Sequence, residues 1–239
     1  MPYVTGAPDS EPQPALTHRS ALPAWRRSTE GEQRWWVALA MLLAVILQTL
    51  LPDRFSVHPR YLLQAIELIA LAGLVVSFPN RMARRNARVR AFSQAVLGLV
   101  AVTNGVSVVL LVHQITAGGH LPPVQLLLGG GEIWFTNVIV FGMWFWEYDR
   151  GGPGSRAQGL ADVPDLLFPQ MTDDRLARDW EPEFFDYLYV SYTNATAFSP
   201  TDTLPLSRWA KLLFMVQSAI SLVTVALIAA RAVNILPGS

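Results

Sequence analysis

The chain has 239 residues, of which 51% are hydrophobic and only 15% are charged, and its formal net charge is zero. A soluble domain usually carries about 25% charged residues, so this composition indicates a membrane protein. Zero net charge provides no field that would attract nucleic acid, and none is expected as a partner. The absence of cysteine excludes disulfides, thiolate metal sites and cysteine nucleophiles.

The first 33 residues are polar and contain several prolines, without an apolar run that could build a core. They predict a disordered tail, residues 1–33. A secretory signal would need an apolar stretch near the start, whereas the first such run begins only at Trp35. That run is therefore predicted to stay in the membrane as a signal-anchor.

Five apolar runs each come close to the roughly 20 residues that cross a bilayer. They occupy residues 35–51, 61–78, 91–115, 124–147 and 209–236. Helices of a soluble bundle would each show a polar face, and these runs show none of useful width. The sequence thus predicts an all-α, polytopic transmembrane bundle with five long spans. Four of them form a region over 34–147.

Arginine placement predicts the orientation, because cytoplasmic connections carry the excess of positive charge. The tail, the second connection and the segment after the fourth span carry thirteen arginines, against two in the first connection. We therefore expect a multi-pass protein of the plasma (inner) membrane with a cytoplasmic N-terminus. The second connection also predicts contacts with anionic lipid headgroups, although the same residues serve as ordinary topology determinants. Its arginines are Arg81, Arg84, Arg85, Arg88 and Arg90.

Residues 148–182 are predicted to form a cytoplasmic loop. The stretch "DRGGPGSRAQG" indicates flexibility by composition, and "VPDLLFPQM" is suited to packing against either the membrane surface or the bundle. In "DWEPEFFDY", Pro182 suits the first turn of a helix.

The next segment, Phe184 to Phe198, is short and polar. As a helix it would reach about 22 Å, less than a hydrocarbon core of about 30 Å, which indicates a tilted span or a re-entrant half-helix. Tyr187, Ser191 and Asn194 fall on one helical stripe. Such groups lack partners in lipid, so the segment is expected inside the bundle, at a subunit interface or against water.

The stretch 184–236, which contains "NATAFSPTDTLPLSRWAK", resembles the pore module of two-helix potassium channels. More broadly, the chain resembles uncharacterised bacterial integral membrane proteins with such an end. The resemblance places Asp202 at the family's acidic position, with Pro205 and Arg208 following. Ser199, Pro200 and Thr201 replace the family's glycine, tyrosine and glycine, so the resemblance implies a filter region not of the potassium type.

Two interpretations of this region are open. In one, a polar path is lined by Tyr187, Ser191, Asn194, Thr196, Ser199, Thr201 and Asp202. In the other, "SPTD" is turn chemistry and Ser207 caps the last helix. The arginine distribution favours six segments with both termini cytoplasmic, in which "SPTDTLPLS" is an external turn. Residues 183–239 then form a channel-like helical hairpin and the C-terminus.

Polar residues also interrupt the apolar runs: Glu67, Asn104, Glu132 and Asn137. A carboxylate at membrane depth indicates function by default, here a proton or cation site. The alternative is that these groups hydrogen-bond one another as packing contacts. Gly129, Gly130 and Gly131 predict close approach of a neighbouring helix.

His113 and His120 are too few for a metal site, and neither a metal nor any other cofactor is expected. No phosphate-binding, dinucleotide-binding or hydrolase motif is present, so the chain is not expected to be an enzyme. One hypothesis is a channel-like or transport protein in the lipid bilayer, working as a homo-oligomer. The alternative is a non-transporting assembly factor or partner subunit that docks on a membrane protein through the 148–182 loop.

Overall fold

The structure, a computed structural model, describes residues 22–33, 35–56, 59–77, 87–117, 122–196 and 202–235. The fold is all-α, with one pair of two-residue strands. In chain order the helices are α1 (Trp35–Leu50), α2 (Arg60–Ser77), α3 (Ala87–Thr116), α4 (Pro123–Tyr148), α5 (Pro153–Ala157), α6 (Asp174–Ala177), α7 (Phe184–Thr196) and α8 (Arg208–Ile235). Strand β1 (Leu166–Leu167) pairs antiparallel with β2 (Leu204–Pro205).

Within the described residues, three helical segments are long and apolar enough to cross a membrane: Arg90–Thr116, Val124–Gly151 and Arg208–Ala230. The apolar helices Trp35–Leu50 and Tyr61–Gly73 are shorter. The first ends just before Pro52, which disfavours helical geometry in the residue that precedes it. The prediction of an all-α fold with membrane-spanning helices is therefore confirmed for three long helices. The prediction of five long spans is not confirmed.

The outer surface of α8 agrees with a lipid environment. Leu212, Met215 and Leu222 are 60%, 69% and 58% exposed, although each is a large apolar side chain. A soluble monomer rarely leaves such a contiguous apolar face in water. This surface and the long apolar helices together indicate a membrane protein.

Helix α4 lies at the centre of the bundle and contacts α1, α3, α7 and α8. We call residues 149–183, which follow it, the cap, and the end of the bundle where they lie the cap end. Arg90, near the start of α3, pairs with Glu147, near the end of α4, so these helices are antiparallel. The opposite end of the bundle includes Phe55, whose ring packs against Gly129 near the start of α4.

Helix α7 enters the bundle from the cap end and stops partway along α4. Its Leu188 lies against Gly142 and its Ser191 bonds to Val138, so it runs antiparallel to α4. With 13 residues it reaches about 20 Å, against about 39 Å for the 26 residues of α4. The chain is back at the cap end at β2, which pairs with β1 of the cap.

This return corrects two expectations. Residues 202–207 of "SPTDTLPLS" lie at the cap end and do not form a turn at the opposite end; residues 197–201 lie outside the described residues. Helix α8 starts at the cap end, where Trp209 packs against Tyr148, and reaches Gly130 with Ile228. The described end of α8 therefore lies opposite the cap, whereas residues 22–33 lie at the cap end, so the prediction that the tail and the end of the last helix share one side is wrong.

The cap is ordered, contrary to the flexibility expected from its glycines. Gly151, Gly152 and Gly159 adopt positive φ angles, which glycine adopts more readily than other residues. These glycines therefore allow the chain to turn back on itself. Leu166 and Phe168 of "VPDLLFPQM" are buried in the main core, so this stretch packs on the bundle.

The end of the tail is also ordered. Trp25 is 4% exposed, and the backbone N–H of Thr29 donates to the carbonyl of Ala157 at 2.8 Å. A buried tryptophan supplies the apolar contact that composition alone did not indicate. The disordered-tail prediction is thus wrong for residues 22–33, and residues 1–21 lie outside the described part of the chain.

Glycines of α4 allow close packing, as predicted for two of the three. A Cβ on Gly129 would meet the Phe55 ring at 2.8 Å, and one on Gly130 would clash with the side chain of Ile228 of α8. Gly131 faces open space. A Cβ on Gly142, a position that the sequence did not single out, would meet the backbone of Leu188 at 3.2 Å, so glycine there allows α7 to pack closely.

We expect Gly142→Ala to lower the midpoint of thermal unfolding in detergent relative to Gly131→Ala. Both substitutions gain helix propensity of about 1 kcal/mol. Only the Cβ at 142 must push against α7 backbone, an overpacking cost of about 1–3 kcal/mol. Equal midpoints for the two variants would mean that α7 is not held closely against α4.

Candidate functional site

The most extensive buried polar network joins the end of α4 to the cap. Asp149 is fully buried, and its Oδ1 accepts the backbone N–H groups of Asp165 at 2.9 Å and Leu166 at 3.2 Å. Its Oδ2 accepts the hydroxyl of Tyr187 on α7 at 2.7 Å and lies 3.6 Å from Nε of Arg150. One carboxylate thereby connects α4, the cap and α7.

Asp165 extends the network to α8. Its Oδ2 accepts the backbone N–H of Arg150 at 2.9 Å, and its Oδ1 accepts the indole N–H of Trp209 at 2.9 Å. Its carbonyl accepts the N–H of Leu206 at 2.8 Å. The start of α8 is therefore fixed on the cap by this one residue.

Two buried arginines complete the network. Arg150 adopts φ 51°, a left-handed conformation unusual for a residue with a side chain, and its Nη1 donates to the carbonyl of Trp25. Strain of this kind persists where several contacts fix the residue. Arg156 donates to the carbonyls of Trp146 at 2.6 Å and Asp149 at 3.1 Å, and its guanidinium lies 4.9 Å from the centre of the Tyr187 ring.

Glu32 holds the tail against the start of α7. Its carboxylate accepts the indole N–H of Trp146 at 2.6 Å and the backbone N–H of Phe184. Burial raises the pKa of Glu32, and these two donors oppose that shift. A carboxylate at the N-terminus of α7 also meets the positive end of the helix dipole.

A cavity of about 10 Å³ lies between the tail and the cap, next to Glu32 and Arg156. That volume holds about one water molecule. The network around it therefore serves to fix the cap, and the cavity is too small for an organic ligand.

The predicted polar stripe of α7 faces the interior of the bundle. Asn194 Nδ2 donates to Gln217 Oε1 at 2.8 Å, and Gln217 Nε2 donates to Ser191 Oγ at 2.6 Å. Ser191 Oγ in turn donates to the carbonyl of Val138 at 2.6 Å. This relay links α7, α8 and α4, and with Tyr187 on Asp149 it gives all three stripe residues partners within the chain.

The other predicted path residues are dispersed. The hydroxyl of Thr196 donates to the carbonyl of Thr193 at 2.8 Å, inside α7. Asp202 is exposed at the cap end, while Ser199 and Thr201 lie outside the described residues. Ser207 caps α8 as predicted, since its Oγ accepts the N–H of Ala210 at 3.4 Å.

The polar residues that interrupt the apolar runs differ in how far they are buried. Glu67 is fully buried and lies 3.4 Å from the hydroxyl of Thr103 on α3. Asn104 and Asn137 are buried, at 4% and 1% exposed, whereas Glu132 is half-buried.

The arginines predicted to contact lipid headgroups differ in their surroundings. Arg88 is exposed, and Arg81, Arg84 and Arg85 lie outside the described residues. Arg90 pairs with the buried carboxylate of Glu147 at 3.3 Å, so it links α3 to α4. Its side chain is still 28% exposed, and the headgroup contact stays a prediction.

The sequence reading missed Asp149, Arg150, Arg156 and Asp165. A signal marks only Asp149 and Arg150, which directly follow the aromatic cluster that ends α4. Groups of three or more His, Asp or Glu side chains that could hold a metal ion are absent from the described ranges. Comparison of the chain with known protein families, with curated proteins and with solved structures finds no match.

We expect Asp149→Asn to lower the free energy of unfolding by about 3–5 kcal/mol, because it leaves the buried guanidinium of Arg150 without its carboxylate. Asp162→Asn, on the exposed surface of the same cap, is the matched control and should change stability little. Chemical denaturation in detergent, followed by tryptophan fluorescence, measures both. Similar stabilities of the two variants would refute a central role for Asp149.

Proposed function

We propose that this is a multi-pass protein of the plasma (inner) membrane in which α7 and α8, which both run from the cap end into the bundle, form a channel-like module for cations, working as a homo-oligomer. All five apolar helices cross the bilayer in this proposal, although α1 has only 16 residues; α2 continues to Ser77, beyond its apolar range Tyr61–Gly73. The proposal is carried by one observation: α7 stops partway along α4, and the chain is back at the cap end by β2.

A half-depth helix has a physical consequence in a membrane. Its last carbonyls lack intrahelical partners, so they need protein or water around them, because lipid offers no hydrogen-bond donors. Its C-terminus is also the negative end of the helix dipole, which favours a cation at that depth. Among the described residues, the hydroxyl of Thr196 bonds to the carbonyl of Thr193, and the hydroxyl of Ser218 on α8 bonds to the carbonyl of Asn194.

The orientation follows from the ends of the bundle. Arg26, Arg90 and Arg150, from three arginine-rich segments, all lie at the cap end. By the positive-inside rule the cap and the N-terminus are cytoplasmic, so α7 enters from the cytoplasmic side.

The outward face of α7 supports self-assembly. Phe185, Tyr189 and Tyr192 are about half exposed and occupy one stripe of the helix. Aromatic rings are enriched at protein interfaces, and a second copy would remove the two phenol groups from lipid. A path for ions would then run between subunits, beside the end of α7, and not along the internally bonded stripe.

We expect purified protein in liposomes to conduct monovalent cations, and Asp202→Asn to reduce that flux severalfold at low ionic strength. An exposed carboxylate at the mouth raises the local cation concentration, an effect that disappears near 1 M salt, where the Debye length is about 3 Å. Asp162→Asn is the control. Absence of protein-dependent flux, or selectivity for anions, would reject the channel proposal.

A second function is supported by the cap. Leu160, Val163 and Leu176 are 57%, 74% and 58% exposed on a segment outside the long apolar helices. A partner subunit docking on this apolar surface would make the chain a non-transporting component. In that case Leu160→Ser with Val163→Ser should abolish crosslinking to a membrane partner without lowering stability, and the reconstituted protein should show no flux.

A further inference from the structure

We infer that α1, α2 and α3 hold a buried binding site for an alkali-metal cation, built from the side-chain oxygens of Gln48, Gln64 and Glu67. This site is separate from α7 and α8 and does not rest on the channel proposal. It rests on a surplus of buried oxygen acceptors in one small region of the bundle.

The first part of the site lies on α2. Gln64 and Glu67 are 3% and 0% exposed, and a spacing of three residues places them side by side on the inward face of the helix. Oε1 of Gln64 and Oε2 of Glu67 have no hydrogen-bond donor among the described residues.

The second oxygen of Glu67 is also weakly satisfied. The hydroxyl of Thr103 lies 3.4 Å from Glu67 Oε1, but it lies closer, at 3.0 Å, to the carbonyl of Leu99 in its own helix. A hydroxyl has one proton to donate. When it bonds to Leu99, Oε1 of Glu67 is left without this donor, as Oε2 already is.

The third element comes from α1. Gln48 is 4% exposed, and its Nε2 donates to the carbonyl of Val100 at 3.3 Å, one turn before Thr103 on α3. This bond fixes the amide and leaves Gln48 Oε1 as another buried acceptor without a donor in the described part of the chain. Gln48 therefore reaches the same level of α3 as Glu67.

The chemistry of this set selects the ligand. An ionised carboxylate without a counter-charge is costly in a membrane interior, and each unsatisfied acceptor adds to that cost. A proton on Glu67 would supply one donor, whereas a cation coordinates all three oxygens and neutralises the charge. Carboxylate and amide oxygens are hard ligands, and a single carboxylate matches a single positive charge.

Binding of ²²Na⁺ to the purified full-length protein in detergent tests this inference directly. We expect saturable binding, displaced by unlabelled sodium but not by choline at equal ionic strength. Glu67→Gln should weaken it by on the order of 10- to 100-fold, because the charged ligand contributes most. Glu132→Gln makes the same chemical change on α4 and should leave the affinity unchanged.

Gln64→Leu provides a second variant that keeps the carboxylate, in case Glu67→Gln fails to fold. It removes one neutral ligand and should weaken sodium binding about 10-fold. Saturable binding with unchanged affinity in both variants would overturn the site. Absence of saturable sodium binding would also overturn it, if an infrared carbonyl band shows that Glu67 is protonated. That band is assigned to Glu67 by its loss in Glu67→Gln. If the reconstituted protein shows no cation flux but still binds sodium, the channel proposal is rejected and the sodium site is not.

Discussion

The carboxylate of Asp149 is the interaction on which the architecture depends. It stands where the central helix α4 ends, and it bonds at once to the cap backbone and to Tyr187 of α7. Asp165, held by the same carboxylate through its N–H, then fixes Trp209 at the start of α8. A buried charge of this kind is stable only if each oxygen is satisfied, and here backbone N–H groups, a phenol and an arginine together do so.

This constraint explains why α7 is short. Its start is fixed on the cap through Tyr187, and through Glu32 at the N–H of Phe184. Because α8 is fixed at the same end of the bundle by Trp209, the chain that follows α7 has to come back before α8 can begin. A full crossing by α7 would leave no chain length for that return. The relay from Asn194 through Gln217 to Ser191 then stabilises the half-depth helix against both of its long neighbours.

Much of the fold followed from patterns in the sequence, because helix length and hydropathy are local properties. Three of the five predicted long apolar helices, the Ser207 cap and the close packing at Gly129 and Gly130 are confirmed, and the polar stripe at Tyr187, Ser191 and Asn194 takes the first of its three predicted surroundings, the inside of the bundle. The order of the cap was not, since its glycines have the composition of a flexible loop. What orders that segment is contact with residues far along the chain, such as Trp25 with Arg150.

The predicted direction of α8 was wrong for a related reason. Arginine counts report which side a connection lies on, but they assume that each apolar segment crosses. A half-depth helix breaks that assumption without altering the counts, because the segments before and after it lie on the same side. The arginines at the cap end therefore still agree with a cytoplasmic N-terminus. The path of α8 takes its described end to the opposite side of the bundle.

The polar groups of the bundle fall into two kinds that sequence alone cannot separate. Ser191 and Gln217 have donors and acceptors matched across three helices, so they act as packing contacts. Gln48, Gln64 and Glu67 are equally buried, but each leaves an acceptor oxygen without a donor among the described residues, which favours a positive charge there. An imbalance between donors and acceptors, more than burial itself, distinguishes a place that needs a ligand from one that is already complete. By that criterion the carboxylate at α2, and not the stripe on α7, is where an ion is held within a single chain.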